Sequence, residues 1–377
     1  MRELFLLDPE VVFLNHGSFG ACPQPVFEAY QGWQRELERE PVDFIFRRLP
    51  GALAAARAEL AAYVGAAADD LAFVQNAGSG VNMAARSLEL KPGDEVLATG
   101  LEYGACDFAW ESVCRAAGAR YVPAEMPFPV GDVVDRLFAR QTDRTRVVYA
   151  SHITSETGIE LPIEQIVRRA RAEGLVTIVD GAHAPAHTHV DVEELGADFY
   201  AGNCHKWMCA PKGAGFLHVR PEHQERVDGP IVSWGHREPA TFMSRTQEQG
   251  TRDDSAYLAV PAAIAFQKEH DWDSVRARCV ELCRQARREI GAVLGTEPIA
   301  PEEMVLQMAS MRIPEDVDGE ALVRILWEEH RIEIPAMRPQ HDLLRISVAA
   351  YTTREDVDRL LDVLPRALAT SRSPAGR

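Results

Sequence analysis

Two ionisable residues stand at comparable places in this 377-residue chain. Asp180 closes the apolar run Thr177-Ile178-Val179 and leads into Gly181-Ala182-His183. Lys206 lies 26 positions further on, in Asn203-Cys204-His205-Lys206-Trp207, after a second short run, Asp198-Phe199-Tyr200-Ala201. In an α/β protein the residues outside the carboxyl ends of the strands form the ligand crevice. Alone, the acid reads as a helix cap and the lysine as a solvated surface cation. At neighbouring strand ends they offer one crevice a carboxylate and an amine. Pyridoxal phosphate needs that pair: a lysine forms a Schiff base with its aldehyde, and an acid keeps its ring nitrogen protonated so that the ring accepts electrons.

The elements that must position this pair follow in chain order. Val11-Val12-Phe13-Leu14 reads as a short strand, and Asn15 to Pro23 as a glycine-rich turn carrying His16 and Ser18. Helical spacing of Val26, Tyr30, Trp33 and Leu37 predicts a helix over 25–40, and an Ala-rich helix follows over 52–64. The strand Leu71–Val74 leads into Gln75-Asn76-Ala77-Gly78-Ser79-Gly80, with helix expected from Met83. A Gly/Ser turn opening a helix offers free N–H groups and the positive end of the dipole, which suits a phosphate; serine there also caps a helix with nothing bound. Strands are expected at 95–99, 120–123, 146–150, 176–180 and 216–219, with helices at about 107–117 and 163–173. Strands joined by helices make a mainly parallel sheet. Helices at 261–270 and 274–294, strands near 306–309 and 344–348, and helices at 321–330 and after Thr353 read as a small α+β unit. The tail, Ser371 to Arg377, reads as disordered.

Length makes two domains the expectation: a large one over 21–260 and a small one formed by 261–377 with the N-terminal arm 1–20. Apolar content of 46% and charged content of 26% are those of an ordinary globular protein. A net charge of −17 without a basic block argues against nucleic acid or an anionic membrane surface as partner. No apolar run approaches a membrane span, and the acidic N-terminus does not read as a signal peptide. Seven cysteines at 22, 106, 114, 204, 209, 279 and 283 form no framework, so free thiols in a reducing cytoplasm are expected. His183, His187 and His189 invite a metal, but Pro185 interrupts the helix that would face two rings one way, and no metal is expected.

As a set, Leu14-Asn15-His16-Gly17-Ser18, Asp180-Gly181-Ala182-His183-Ala184-Pro185, His205-Lys206-Trp207, Val232-Ser233-Trp234, Gly250-Thr251-Arg252-Asp253 and Tyr351-Thr352-Thr353 resemble the class V aminotransferases. These are pyridoxal-phosphate enzymes of fold type I, and the likeness is greatest to the isopenicillin N epimerase-like subgroup. The resemblance covers essentially the whole chain. It implies an α/β fold with a large, mainly parallel seven-stranded-type sheet and a small α+β domain. It also implies roles. Lys206 would bear the cofactor and move the substrate's Cα proton. Asp180 would pair with the ring nitrogen, raising its pKa. His183 would lie by the ring's phenolic oxygen, Tyr103 would stack on the ring, and His152 would lie near the same oxygen or the substrate carboxylate. The phosphate would rest on Ala77, Gly78 and Ser79, with Asn203 and His205 contributing. Gly250 and Thr251 would reach it from the other subunit of a homodimer with shared sites. Arg345 would clamp a substrate α-carboxylate, its planar fork matching that anion, with His16 and Ser18 nearby. Phe19, Phe44, Phe46, Arg47 and Trp234 would line the side-chain pocket.

Two departures bear on the chemistry. Gly78 stands where relatives carry a threonine, and Asn203 where serine is common; the helix N–H groups persist in both cases. The interval Pro335–Asp342 holds no cysteine, which disfavours a desulfurase acting through a cysteine persulfide. The expected reaction is at the α-carbon of an amino acid or an amino-acid-derived metabolite, epimerisation first. The alternatives are β-elimination by a C–S lyase and transamination or deamination. Epimerisation needs a second proton donor, for which His16, Tyr103, His152 and a water are candidates.

Overall fold

The computed structural model describes residues 1–337 and 342–372. The expectation for residues 338–341 of the cysteine-free interval, and for 373–377 of the tail, lies outside the described residues.

Twelve strands form three sheets. They are β1 (Val12–Phe13), β2 (Leu71–Val74), β3 (Glu95–Thr99), β4 (Arg120–Ala124), β5 (Thr145–Ser151), β6 (Val176–Gly181), β7 (Phe199–Asn203), β8 (Gly215–Val219), β9 (Met308–Arg312), β10 (Ile332–Glu333), β11 (Ala336–Met337) and β12 (Leu343–Ser347). The central sheet has the order β2-β8-β7-β6-β5-β3-β4, and β8 alone runs antiparallel to its neighbours. All its strands except the edge strand β4 are buried over nearly their whole length. That is why they read as apolar runs rather than alternating ones.

The chain passes outward from β3 to β4, then returns to lay β5 on the other side of β3. This reversal is the switch point at which an open sheet leaves a crevice beyond its carboxyl edge. The helices Ala77–Ser87 and Gly104–Ala117 cover one face, where Val81, Cys106 and Trp110 pack with Tyr149, Ile178, Phe199 and Leu217. The other face belongs to a larger core that includes the Ile163–Ala172 helix, whose Ile163, Ile166, Val167 and Ala170 fall on one side. A three-stranded antiparallel sheet, β11-β12-β9, lies after residue 260 in the chain and packs against the Trp272–Leu294 helix. The N-terminal segment joins this later part: β1 pairs in parallel with β10, and Asn15 bridges to Ser347.

The elements differ from expectation in instructive places. The Ala77–Ser87 helix begins at the glycine/serine stretch itself, because Asn76 caps it from the preceding residue. Residues His16–Phe19 form one helical turn rather than an open glycine loop. The tail is anchored at its start: Ser371 is buried, its N–H bonds the Ala367 carbonyl, and Arg372 bridges to Val317. All seven cysteines are free thiols. Among the described residues no helix is long and apolar enough to cross a membrane.

Candidate active site

β5, β6 and β7 end side by side, with Ser151 opposite Asp180 and Asp180 opposite Ala201. Side chains alternate across a strand, so Asp180 shares with Ile178 the face covered by the two helices. There its Oδ1 accepts from the Ala182 N–H at 2.9 Å, while Oδ2 accepts from the Tyr149 hydroxyl at 3.3 Å and the Cys106 thiol at 3.6 Å. The carboxylate is buried, and burial raises its pKa. No cation lies within ion-pair distance among the described residues. It is a carboxylate whose orientation is set by three donors and whose charge has no ion-pair partner among the described residues.

Lys206 sits in the turn after β7. Its Nζ is 2.9 Å from His183 Nε2, and the Trp207 indole N–H meets His183 Nδ1 at 3.2 Å. Burial and the nearby Arg345 charge push the Lys206 amine down to about 8. Burial, and next to it the Lys206 charge, hold His183 well below an ordinary imidazole. Lys206, Asp180 and His183 therefore come together as the sequence led us to expect.

The opening of the Ala77–Ser87 helix is partly occupied by the protein itself. Ala77 N–H donates to Asn203 Oδ1 at 2.8 Å, and Ser79 N–H to Asn76 Oδ1 at 2.8 Å. Of the three, Gly78 alone keeps an N–H without an acceptor among the described residues. Asn203 turns its oxygen to the helix and leaves its NH₂ open. His205 gives Nδ1–H to the Ala214 carbonyl at 2.9 Å, which leaves Nε2 without a partner among the described residues. An anion here meets the Gly78 N–H and the Asn203 NH₂ at the positive end of a helix, with the His205 ring beside it, while the Ser79 hydroxyl donates to Asn76 Oδ1 at 3.1 Å.

Arg345, on β12, is buried. One terminal nitrogen donates to the Ser155 carbonyl at 2.5 Å, and the other to Ser18 Oγ at 2.8 Å and Asn15 Oδ1 at 3.3 Å. Its Nε has no partner among the described residues. Burial pulls the guanidinium down to about 10, with Glu156 the charge that opposes this. A buried cation without a paired carboxylate is costly, and a ligand carboxylate relieves it.

The His16–Phe19 turn ties these parts together. Both ring nitrogens of His16 are engaged, Nδ1 with the Tyr351 hydroxyl at 2.9 Å and Nε2 with the Lys206 carbonyl at 3.1 Å. Gly17 N–H donates to Ser347 Oγ at 3.1 Å, and Lys212 donates to the Gly20 carbonyl at 2.8 Å. Gly20 has φ 72°, and a Cβ there would collide with the His205 carbonyl. Only glycine lets the turn press against the Lys206 loop.

Several expectations are corrected. His152 is one residue past Ser151, so strand alternation turns it to the opposite face from Asp180, where Nδ1 bonds the Tyr200 hydroxyl at 3.0 Å. It is not brought to the cluster. His16 faces the backbone and Tyr351 rather than open space, so it is placed to hold Lys206, not to deliver a proton. Phe44 is buried against Trp33, whereas Phe19, Phe46 and Trp234 are exposed. Tyr103 is half-exposed at the start of the Gly104–Ala117 helix, with a hydroxyl free of hydrogen bonds among the described residues. Gly250 and Thr251, expected to serve the site of another subunit, lie on the surface, and among the described residues no hydrogen bond joins them to this cluster; that expectation is not one of those corrected.

Sequence reasoning missed Trp207, Asn15, Ser155, Tyr149, Cys106 and Glu102. Glu102 is buried beside Asp180, takes hydroxyl bonds from Thr99 and Ser151, and burial raises it to about 8. Only Trp207 and Asn15 sat inside motifs already singled out.

The donor set fits pyridoxal phosphate: an amine in a buried pocket, a fixed carboxylate for the ring nitrogen, and an anion site at a helix start. The family profile described as "Aminotransferase class-V" matches residues 23–360. Isopenicillin N epimerase of Streptomyces clavuligerus is 38% identical over 96% of both chains. A probable chloroplastic L-cysteine desulfhydrase of Arabidopsis thaliana is 30% identical over 95% of this chain and 83% of its own. Among solved structures, the protein C-DES, with glycine covalently linked to its PLP cofactor, superposes with a TM-score of 0.84 at 21% identity, covering 97% of this chain and 99% of its own.

Proposed function

The chain belongs to the class-V aminotransferase family, and from that premise we propose that it is an isopenicillin N epimerase-like enzyme, inverting the α-carbon of an amino acid or amino-acid-derived metabolite. It is a pyridoxal-phosphate enzyme. The bound cofactor supplies an electron sink for charge developing at Cα. The single observation that carries the reading is the pairing of a buried amine, Lys206, with a buried guanidinium, Arg345, that makes no ion pair among the described residues.

In this reading Arg345, steadied by Ser18, Asn15 and the Ser155 carbonyl, orients the substrate's α-carboxylate. Lys206 Nζ, kept near neutrality by burial, accepts the Cα proton on one face. Asp180 holds the proton of the ring nitrogen, and His183 Nε2–H donates toward the phenolic side of the site. Gly78, Ser79, Asn203 and His205 hold the phosphate. His205 must be protonated to donate from Nε2, since its other proton is committed to Ala214. Tyr103 is the candidate for the opposite face. Gly250 and Thr251 serve the site of a second subunit in a homodimer.

A second reading, β-elimination by a C–S lyase, is favoured by the likeness to the desulfhydrase. One experiment separates the two: the purified holoenzyme and its Lys206→Ala variant are incubated with a panel of amino acids in D₂O. Deuterium at Cα with an intact side chain and both enantiomers supports the epimerase, and this exchange is expected to vanish in the variant. Loss of the β-substituent with keto-acid formation would replace the epimerase by the lyase. Exchange that persists in Lys206→Ala would overturn the central assignment.

A further inference from the structure

Trp207 directly follows Lys206 and is buried. Its ring lies on His187, centroids 4.0 Å apart at 33°, and near the His16 ring at 4.9 Å. His187 is itself pinned, Nδ1 to the His183 carbonyl at 3.0 Å and Nε2 by the Gln307 N–H at 2.9 Å. The indole is therefore held, and its N–H is aimed at His183 Nδ1.

Counting protons fixes the rest. An indole N–H only donates, so His183 Nδ1 presents a lone pair to it. A neutral imidazole has one proton, which must then be on Nε2. Nε2–H points at Lys206 Nζ, 2.9 Å away. An ammonium has three donors and no acceptor, so this contact is a hydrogen bond only if Lys206 is the unprotonated amine. An aldehyde condenses with that form.

We propose that Trp207 is a positioning residue: by donating its indole N–H to His183 Nδ1 it keeps the His183 proton on Nε2, and so presents Lys206 as a free amine to an incoming aldehyde. This rests on the reading of Lys206 as the cofactor-bearing lysine. Without the indole donor, Nδ1 is a buried acceptor with no partner, and such a group carries a desolvation cost. Moving the proton to Nδ1 leaves that atom no better partnered but bares Nε2, which can then accept a charge-assisted bond from a Lys206 ammonium. The bare Nε2 then faces Nζ and favours the ammonium.

The test uses the full chain stripped of cofactor. Uptake of pyridoxal phosphate is followed by visible absorbance across pH for wild type and Trp207→Phe, which keeps an aromatic ring on His187. The wild-type rate is expected to rise with pH, and the variant's midpoint to lie higher by about one pH unit, the shift that one lost hydrogen bond of ordinary strength produces. A purely structural role would lower the plateau and leave the midpoint in place, which overturns the proposal. ¹⁵N NMR of histidine-labelled wild type, which needs no variant, should place the His183 proton on Nε2; finding it on Nδ1 overturns the proposal even if Trp207→Phe fails to fold. Borohydride reduction and peptide mapping identify the modified lysine. A tag elsewhere than Lys206 sinks the underlying reading, whereas a tag on Lys206 with an unmoved midpoint sinks only the part given to Trp207.

Discussion

Arg345 shows how one side chain's surroundings define its ligand. Each terminal nitrogen of its guanidinium is held by neutral oxygens, Nε is bare, and no carboxylate pairs with it among the described residues. Nature leaves a buried cation so only where something anionic arrives. Arg345→Ala should therefore raise KM for α-carboxylate substrates by on the order of 10–100-fold, the worth of a charge-assisted hydrogen-bonded pair, with a smaller effect on kcat. An unchanged KM in steady-state assays would remove the clamp. At this scale Asp180 and Lys206 were legible because each terminates an apolar run, and strand ends are readable from periodicity. His152 was misassigned because legibility stops at parity: one residue along a strand reverses the face, and nothing in Ala150-Ser151-His152 says where the strand lets go. Trp207's bond to His183 was illegible, since it depends on how two loops after different strands fold toward each other.

The start of the Ala77–Ser87 helix is organised by two asparagines from different places, Asn76 from the bend between β2 and the helix and Asn203 from the end of β7. Each satisfies one of the orphan N–H groups that every helix exposes. Only Asn203 also turns an NH₂ toward the anion site. Substitution of either by alanine should cost about 1 kcal/mol of apoprotein stability in thermal unfolding. Cofactor affinity measured by equilibrium dialysis should fall in Asn203→Ala and hold in Asn76→Ala; equal affinities would take Asn203 off the phosphate. Element existence was readable nearly throughout, because buried parallel strands and one-sided helices such as Ile163–Ala172 carry strong patterns. The early start of the Ala77–Ser87 helix was not, because Ala-Gly-Ser-Gly has poor intrinsic helix propensity. Caps and tertiary packing supply what propensity lacks.

Over the whole molecule the site is assembled from the central sheet, the late three-stranded sheet and the N-terminal turn, and the proposed dimer would add a fourth contributor. If Gly250 and Thr251 serve the neighbouring subunit's phosphate, Lys206→Ala and Thr251→Asp chains, each inactive alone, should regain activity when co-expressed, because one site of the hybrid carries neither change. No recovery in mixed preparations would return Thr251 to its own subunit or to no role. The His16–Phe19 turn also has a consequence for how the protein comes into being. Its anchors are Tyr351, Ser347 and Arg345, so this segment is held by residues that leave the ribosome about 330 positions later. At roughly 5–20 residues per second, the N-terminal segment waits on the order of tens of seconds for its partners. During translation the lysine loop and the helix cap can form while the carboxylate clamp cannot. A nascent chain can thus assemble its own share of a cofactor site before it has any means of orienting a substrate.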